Sequence, residues 1–473
     1  MNEKCQKFTP VEIVKDMIDL AEYKQDIINK KFLENASGDG VIFLEVLRQY
    51  IEVSIKEGYS LEEIKQGIEK NLHAFEIDKK HYLQCKRSAD QIASIFGIFD
   101  VRWCIRKKDF LKTNINLKYD FIIGNPPYIK YNDLSEKNRQ LIVNRFNSCE
   151  HGKPDYCYAF IEKSIDILKE NGVLVYLIPN SIFKNRFGDI IREKMLTGIE
   201  IIRDFTSIYL FEALTHSAII KFRNNSNKKT INYEDVVDKK TIVLQKKNLG
   251  NPWIFDNKYI NFGEHKFGEF FKASSAIATL YNKAFLIDKY NEEGNSTLVN
   301  GTEIENENIR KAVSLKSLRM KIEKYIIFPY YFDVDGELNK YSPEEFEISS
   351  SGTAEHLKKF LNKLENRKSD KNANWFEYGR TQAIKKMNQS KLIVSKIFTS
   401  EIKVYELDEN TIPYSGNIVI KNSNLPLSIA KDILLSNEFL EYAKKIGTDA
   451  ASNSHQISAK NINEFKFDIQ KYL

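Results

Sequence analysis

Cysteine is scarce in this 473-residue chain, and it is not arranged in pairs. The five cysteines are scattered and odd in number, and no two of them form a C-x-x-C motif. We therefore expect reduced thiols, as in a cytoplasmic protein, and no structural zinc or other metal site. The cysteines are Cys5, Cys85, Cys104, Cys149 and Cys157.

Long apolar runs are missing as well. The first residues, MNEKCQKFTPVEIVKDMIDLAE, lack the apolar core of a signal peptide. No later stretch reaches the roughly 18 apolar residues that a membrane-spanning helix needs. These absences predict a soluble protein without membrane contact, located in the cytoplasm and, if it binds DNA, at the nucleoid.

A strong charge of one sign is also missing. The 71 basic and 65 acidic residues leave a net charge of +6, which permits a nucleic-acid partner but does not require one. Hydrophobic residues make up 42% of the chain and aromatic residues 12%, which excludes a disordered chain and is enough for real cores. The length favours two domains.

The order of strand-like and helix-like segments predicts the fold. Over about 180 residues, short apolar runs such as KKFLEN, LHAFEID, YDFIIG and GVLVYLIPN alternate with amphipathic stretches. This alternation predicts an α/β fold with a Rossmann-like, doubly wound and mostly parallel sheet. One of these helices, YAFIEKSIDILKENG, is expected to end at Gly172. IEIIRDFTS and SAIIKFRN follow without a helix between them, which predicts a closing antiparallel hairpin.

A change of composition predicts the domain boundary. The polar, turn-rich stretch NNSNKKT begins at about residue 224, and beyond it strand-like and helix-like segments are mixed without a fixed period. We therefore expect a catalytic domain at residues 1–230 and a mixed α+β domain at residues 231–473.

The stretch YDFIIGNPPYIKY, residues 119–131, carries the clearest chemical signal. A buried strand ends in Asn125, Pro126, Pro127 and Tyr128, and prolines give up the backbone donors that a strand or helix would use. The Asn125 side-chain oxygen and the rigid Pro126 carbonyl could both accept hydrogen bonds from a planar amine. Such acceptors favour attack by an amine that is otherwise a poor nucleophile. Tyr128 offers a ring face on which a base could stack.

Three acidic residues lie upstream, each near the end of a predicted strand. Glu34 precedes the glycine loop ASGDG, Glu76 lies in FEID, and Asp109 lies in KKDFL. An acid at the second position can accept both hydroxyls of a ribose, and one at the third can accept the amine of an adenine ring. Taken singly, these features have ordinary alternatives, namely a plain turn, an exposed acid and a helix N-cap. Their order along the chain favours a nucleoside cofactor.

These motifs together resemble the γ class of DNA N6-adenine methyltransferases, the TaqI type, over roughly residues 4–225. KFTPVEIVKDMIDLAE, LENASGDG, FEID, KDFL, NPPY and LFEALTHSAIIKF match the motifs of this family in order. The resemblance implies S-adenosylmethionine as cofactor, S-adenosylhomocysteine as product, and a flipped adenine that stacks between Tyr128 and Phe211. It implies catalytic roles for Asn125, Pro126, Tyr128 and Phe211. It implies cofactor contacts for Thr9, Glu34, Ala36, Gly38, Gly40, Glu76, Ile77, Asp109, Phe110, Pro127 and Phe160.

The glycine motif departs from the family pattern at three positions. Asn35 stands where the family usually has proline, Ser37 replaces a frequent cysteine, and Asp39 lies inside the loop. An acid beside the carboxylate of the cofactor is unfavourable unless it points to solvent. The departures therefore predict modest cofactor affinity but leave every catalytic position in place.

The second half resembles the target recognition domains of the same family only in short phrases such as KYIIFPYY and NANWFEYGR. Cations could neutralise phosphates there, and arginine or aromatic side chains could read bases. Trp375 has a buried core position as its alternative. The candidate DNA contacts are Lys316, Arg319, Lys321, Trp375, Tyr378 and Arg380.

Other functions stay open at this point. The NPPY motif also occurs in methyltransferases that act on a protein glutamine or on RNA, and an inactive DNA-binding specificity partner is a third interpretation. The motifs begin within the first ten residues, which leaves no room for an amino-terminal nuclease, and the second half shows no convincing P-D…E-x-K cluster. We therefore expect no nuclease in this chain. A separately encoded restriction endonuclease is compatible with this. We expect a monomer that binds double-stranded DNA, and the target sequence cannot be read.

Overall fold

The computed structural model describes residues 9–205, 216–255, 262–291, 293–450 and 454–473. The chain divides into two compact units, residues 1–259 and 260–473. In the first unit the helices are α1 Val11–Ala21, α2 Val41–Lys56, α3 Leu61–Asn71, α4 Lys79–Ile95, α5 Glu136–Arg145, α6 Tyr156–Asp166 and α7 Asp189–Leu196. Its strands are β1 Phe32–Glu34, β2 Leu72–Glu76, β3 Cys104–Lys107, β4 Tyr119–Gly124, β5 Leu168–Pro179, β6 Ile199–Asp204, β7 Ser217–Arg223, β8 Thr230–Asp235 and β9 Lys240–Gln245.

Within the described residues, these strands form one nine-stranded sheet in the order β3-β2-β1-β4-β5-β7-β6-β8-β9. Strands β1 to β5 run parallel to one another, and β7 is antiparallel to both β5 and β6. The expected mostly parallel α/β sheet with a closing antiparallel strand is therefore confirmed. The strand order reverses between β1 and β4, and ligands bind at such a reversal in open α/β sheets.

Apolar cores lie on both faces of this sheet. One core contains buried residues of α1, α2, α3 and α4, and the other contains buried residues of α5, α6 and α7. The central strands are buried almost throughout, for example Leu174 to Ile178 of β5. Burial on two faces explains why these segments read as continuous apolar runs rather than as alternating ones.

The expected boundary at residue 230 lies inside the first unit. The polar residues after β7 form the turn into β8, and β8 pairs in parallel with β6 while β9 pairs with β8. Trp253 then stacks on Phe183 with ring centroids 5.7 Å apart. The residues up to Phe255 thus complete the first unit, because they extend its sheet and its core.

The structure differs from the sequence-based prediction at two other places. Helix α6 ends at Asp166, and the expected stop, Gly172, lies in strand β5. A Cβ at Gly172 would lie 2.9 Å from the Tyr119 carbonyl oxygen, so the glycine permits close approach of two strands. Helix α3 was not predicted, although Ser60 and Glu63 form a capping box at its start.

The second unit is mixed α+β. Its helices are α8 Phe267–Phe270, α9 Asn282–Phe285, α10 Leu315–Met320, α11 Pro343–Ser349, α12 Ser351–Lys358, α13 Leu361–Glu365, α14 Leu427–Leu435, α15 Asn437–Ile446 and α16 Ala459–Glu464. Its first strands are β10 His265–Lys266, β11 Phe271–Ser275, β12 Leu286–Ile287, β13 Ser296–Val299, β14 Thr302–Glu305, β15 Ile309–Val313, β16 Lys324–Ile327, β17 Tyr331–Phe332 and β18 Leu338–Asn339. The others are β19 Lys391–Val394, β20 Ile397–Phe398, β21 Val404–Leu407, β22 Ile412–Pro413, β23 Asn417–Lys421, β24 Thr448–Ala450, β25 Ser454–Gln456 and β26 Lys466–Phe467.

Two four-stranded sheets organise this unit, β11-β23-β19-β21 and β12-β16-β15-β22. Each sheet contributes to its own apolar core, one with α14, α15 and α16 and the other with α11 and α12. No helix among the described residues combines the length and the apolar character needed to span a bilayer.

Candidate functional site

A cavity of about 210 Å³ opens at the carboxyl ends of β1, β2 and β4, where the strand order reverses. Residues from the loops after β1, β2, β3 and β4 form its wall, and this is where ligands bind in open α/β sheets. The sequence-predicted residues that line it are Thr9, Glu34, Ala36, Gly38, Glu76, Ile77, Asp109, Phe110, Asn125, Pro126, Pro127, Tyr128 and Phe160. The structure thus brings together motifs that are more than 100 residues apart in the sequence.

The glycine loop is tied directly to Glu76. The backbone N–H of Gly38 donates to Glu76 Oε2 at 2.7 Å, and the N–H of Asp78 donates to Oε1 at 2.7 Å. Burial raises the pKa of the Glu76 carboxyl above its usual value, and these backbone bonds offset part of that shift. Each carboxylate oxygen retains a further lone pair, so Glu76 can still accept two hydroxyl donors from a ligand.

Gly40, an expected cofactor contact, is not among the residues that line the cavity. It has φ +96° and precedes α2, and a Cβ there would lie 2.5 Å from Cys85 Sγ on α4. Glycine is therefore required for the left-handed turn and for helix packing. Its neighbours Asp39 and Val41 do line the cavity, and Gly38 with φ +55° is the glycine of this loop that lines it.

Glu34 places a buried carboxylate at the cavity wall. It is 2% exposed, and its Oε2 has no hydrogen-bond partner among the described residues. Burial raises the pKa of Glu34 well above its usual value, and the nearby Asp39 and Glu76 raise it further. Asp39 also lines the cavity and is partly buried, and burial raises its pKa. This acidic, partly uncompensated wall suits a ligand with a positive charge.

Asp109 and Phe110 form the wall beyond β3. Residues 109–113 form a turn rather than a helix start, and Asp109 Oδ1 accepts the N–H of Leu111 at 3.0 Å. Phe110 lies between Phe75 and Phe160, with ring centroids 5.7 Å and 5.5 Å away. The helix N-cap alternative is therefore not found, and the turn presents a carboxylate beside an aromatic cluster.

Lys163 on α6 holds this turn, and no sequence motif indicated it. Its ammonium donates to the carbonyl oxygen of Thr113 at 2.6 Å and also to that of Phe110. Burial lowers the pKa of Lys163 to about 8. A half-buried lysine that donates to backbone carbonyls stabilises the loop that carries Asp109.

The NPPY residues follow β4 directly and meet Thr9 from the start of the chain. The Asn125 side chain donates from Nδ2 to Thr9 Oγ1 at 3.2 Å, and Thr9 is 7% exposed. Burial raises the pKa of the Tyr128 hydroxyl, and a hydrogen bond to Ser217 of β7 lowers it. Phe211, the expected opposite wall for a stacked base, lies outside the described residues.

Asn35 explains why the departure from proline is compatible with this site. Its side chain is 2% exposed and donates from Nδ2 to Ser164 Oγ at 2.8 Å and also to the Tyr176 hydroxyl. The hydroxyl oxygens of Ser164 and Tyr176 are also hydrogen-bonded to each other at 2.7 Å. A buried polar network therefore connects the glycine loop to α6 and β5, beside Gly124 at the end of β4.

The candidate DNA contacts in the second unit separate into two groups. Lys316, Arg319 and Lys321 are exposed at α10, and Arg380 is exposed and paired with Asp370 at 2.9 Å. Tyr378 is fully buried, and its hydroxyl donates to the Ile327 carbonyl at 2.7 Å. It is a core residue, so its assignment as a DNA contact is wrong. Trp375 is partly buried and packs against Phe346 and Phe376, which agrees with the alternative interpretation of Trp375 as a core residue.

Other cavity-lining residues were not predicted. Tyr156, on α6, meets Phe160 edge to face with ring centroids 5.6 Å apart, and Asn138 comes from the unpredicted helix α5. Lys108 and Lys112 flank the Asp109 turn, and Lys112 pairs with Asp109 at 2.9 Å. The two lysines beside the KDFL motif were visible in the sequence, whereas Asn138 gave no local signal.

Comparison with known proteins finds similarity to one family across most of this site. Residues 42–211 match the Eco57I restriction-modification methylase family. The type II methyltransferase M.HindII of Haemophilus influenzae is 30% identical over 242 residues, which cover 50% of this chain and 39% of the relative. The type II restriction enzyme and methyltransferase RM.Eco57I of Escherichia coli is 21% identical, and the match covers 93% of this chain and 54% of the relative.

Among solved structures, the type IIL restriction-modification enzyme MmeI in complex with DNA aligns with a TM-score of 0.64 at 14% identity. The alignment covers 96% of this chain and 65% of that one, and it shows a shared fold. The chain spans 35%, 53% and 54% of the length of M.BstVI, M.HincII and RM.Eco57I. Residues 42–211, the part of the chain that is similar to the Eco57I family of restriction-modification methylases, carry most of the cavity wall.

Proposed function

We propose that this chain transfers a methyl group from S-adenosylmethionine to the N6 atom of an adenine in double-stranded DNA. One observation carries the proposal: the acids Glu34, Glu76 and Asp109 share one cavity with Asn125 and Pro126. A cofactor site and an acceptor pair for an amine thus meet at the strand-order reversal. The family match and the relatives support methyl transfer to DNA.

The residues present fit this cofactor. The Glu34 Oε2 atom, which has no hydrogen-bond partner among the described residues, suits the ammonium group of its methionine moiety, and Glu76 has lone pairs for both ribose hydroxyls. Asp109 and the aromatic residues Phe110 and Phe160 provide an acceptor and an apolar wall for a purine ring. When bound, S-adenosylmethionine supplies an electrophilic methyl group on its sulfonium.

The chain's own contribution to the reaction is to orient and polarise the amine. The adenine N6 is a weak nucleophile because its lone pair is delocalised into the ring. Hydrogen bonds from N6 to Asn125 Oδ1 and to the Pro126 carbonyl favour the tetrahedral nitrogen that attacks the methyl group. The two consecutive prolines hold the carbonyl rigidly, so little reorganisation accompanies the step.

The second unit is proposed as the target recognition domain, and DNA as its partner. MmeI, which shares the fold across both units, was solved in complex with DNA. The exposed cations Lys316, Arg319, Lys321 and Arg380 are proposed contacts to phosphates or bases. Stacking of the flipped adenine on Tyr128 remains part of the proposal, with Phe211 as its second face.

The direct test is incubation with S-adenosylmethionine labelled in its methyl group and with duplex DNA. The digest is then separated into nucleosides. We expect the label in N6-methyldeoxyadenosine. Label in methylated cytosine would contradict the adenine assignment, and label in ribosomal RNA or release factor but not in DNA would contradict the DNA assignment. If the DNA carries no label, and the protein binds DNA tightly but does not bind the cofactor, the result would indicate an inactive specificity partner.

Glu34→Gln is expected to weaken cofactor binding and at the same time to stabilise the free protein. We expect affinity for S-adenosylmethionine to fall about 10- to 100-fold, because a charged acceptor for the ammonium is lost. The free protein should become more stable at pH 8. The folded-state pKa of Glu34 is raised, so its ionisation destabilises the fold as pH rises above the usual glutamate value of about 4.3.

Calorimetry and thermal unfolding, each measured as a function of pH above the usual glutamate value, check this prediction. Wild-type affinity should weaken as pH falls and Glu34 takes up a proton, whereas the affinity of the Gln variant should change less. Glu52→Gln, on an exposed part of α2, is the matched control and should leave both measurements unchanged. Equal affinity of Glu34→Gln and wild type at pH 8 would contradict the role of Glu34.

A further inference from the structure

Thr9 contacts the amide of Asn125. Thr9 lies two residues before the start of α1, at the cavity wall, and its Oγ1 is 3.2 Å from Asn125 Nδ2. The two residues are 116 positions apart, so the contact depends on the fold rather than on local sequence. At 7% exposure the Thr9 side chain is largely shielded from water, which would otherwise compete for the amide.

The orientation of this amide decides whether Asn125 can assist the reaction. An asparagine amide carries a donor, Nδ2, and an acceptor, Oδ1, on the same carbon atom. A rotation that exchanges them would point an N–H group at the N–H group of the target amine. Such a donor-to-donor contact removes one of the two acceptors on which the proposed chemistry relies.

We propose that Thr9 is a positioning residue that holds the Asn125 amide in the orientation found in this structure. A hydroxyl can donate or accept, and here Thr9 Oγ1 accepts from Nδ2. In this arrangement Oδ1 lies on the other side of the amide carbon, where it can accept from the target amine. This inference rests on the proposed function. It differs from the role implied by family resemblance, in which Thr9 touches the methionine moiety of the cofactor.

The test uses the full-length chain with Thr9→Val and Thr9→Ser. Valine keeps the shape of threonine without the hydroxyl, and serine keeps the hydroxyl. With saturating S-adenosylmethionine and a duplex substrate, we expect Thr9→Val to lower the single-turnover methylation rate constant about 10- to 100-fold. Thr9→Ser should recover the rate to within about threefold of wild type. Cofactor affinity measured by calorimetry should change less than about twofold in both variants.

Two results would overturn the inference. An unchanged rate constant in Thr9→Val would show that the hydroxyl does not orient Asn125. A loss confined to cofactor affinity would show that Thr9 contacts the cofactor instead. If Thr9→Val does not fold, as judged by circular dichroism, Thr9→Ala is measured in the same way with serine as the rescue.

A double-mutant cycle separates this inference from the proposed function. In an Asn125→Ala background, Thr9→Val should cause no further loss, because Thr9 acts through the amide that has been removed. If Asn125→Ala itself retains full activity, the proposed function fails. If Asn125→Ala is inactive while Thr9→Val is fully active, only the positioning role fails.

Discussion

Asn125→Ala is expected to reduce the methylation rate constant about 10²- to 10³-fold, the usual loss when one preorganised polar group at a reacting centre is removed. The Pro126 carbonyl would remain as a single acceptor, so the amine would be polarised less and held less firmly. Cofactor affinity should stay within a few fold of wild type, because the acids that are proposed to hold the cofactor lie on other loops.

Single-turnover kinetics with labelled cofactor measure the methylation rate constant, and calorimetry measures the cofactor affinity. Asn125→Asp keeps the shape and an acceptor oxygen, so it should retain more activity than the alanine variant. Asn132→Ala, an exposed residue in the loop that follows, is the control for a general effect of asparagine loss. Equal rate constants for Asn125→Ala and wild type would remove the basis for a catalytic role of the NPPY residues.

Arg192→Met is expected to destabilise the first unit by about 3 to 5 kcal/mol. The guanidinium is 2% exposed, and its Nη1 donates to the carbonyl oxygens of Ile182 and Asn185, each at 2.7 Å. It also binds Asn251 Oδ1 at 3.1 Å through Nε. Methionine fills a similar volume but leaves these buried acceptors without a donor, which is the costly case for hydrogen bonds.

Urea unfolding measures this loss. In a Trp375→Phe background the remaining tryptophans, Trp103 and Trp253, both lie in the first unit, so their fluorescence follows that unit. Asp189→Asn removes the charge of a partner whose side chain is 53% exposed, and we expect it to cost less than about 1 kcal/mol. An unchanged urea midpoint for Arg192→Met would show that the acceptors find other donors.

The site was largely readable from the sequence because its residues follow strands. Strand ends carry strong local signals, namely an apolar run followed by an acid, a glycine or a proline. Once the strands are parallel, their carboxyl ends meet at one edge, so Glu34, Glu76 and Asn125 had to converge. The cofactor contact of Gly40 stays a prediction, because a glycine that serves helix packing looks the same in sequence as one that serves a ligand.

Other features depend on contacts that no local pattern records. Whether Tyr378 faces water or the core is decided by Ile327 and Tyr330, about 50 residues away. Lys163 reads as a surface lysine on an amphipathic helix until the turn after Asp109 folds over it. The polar stretch near residue 224 reads as a linker, because a turn within a sheet and a linker between domains have the same composition.

The strands β8 and β9 determine where the first unit of this chain can be joined to the second unit of another protein. A junction at residue 230 would remove both strands from the sheet and separate Ile231, Leu244 and Trp253 from a core in which each is at most 5% exposed. A junction after Phe255 would leave the sheet and that core intact. Chimaeras that join this first unit to a different second unit should therefore be joined there, so that the whole sheet is inherited from one parent.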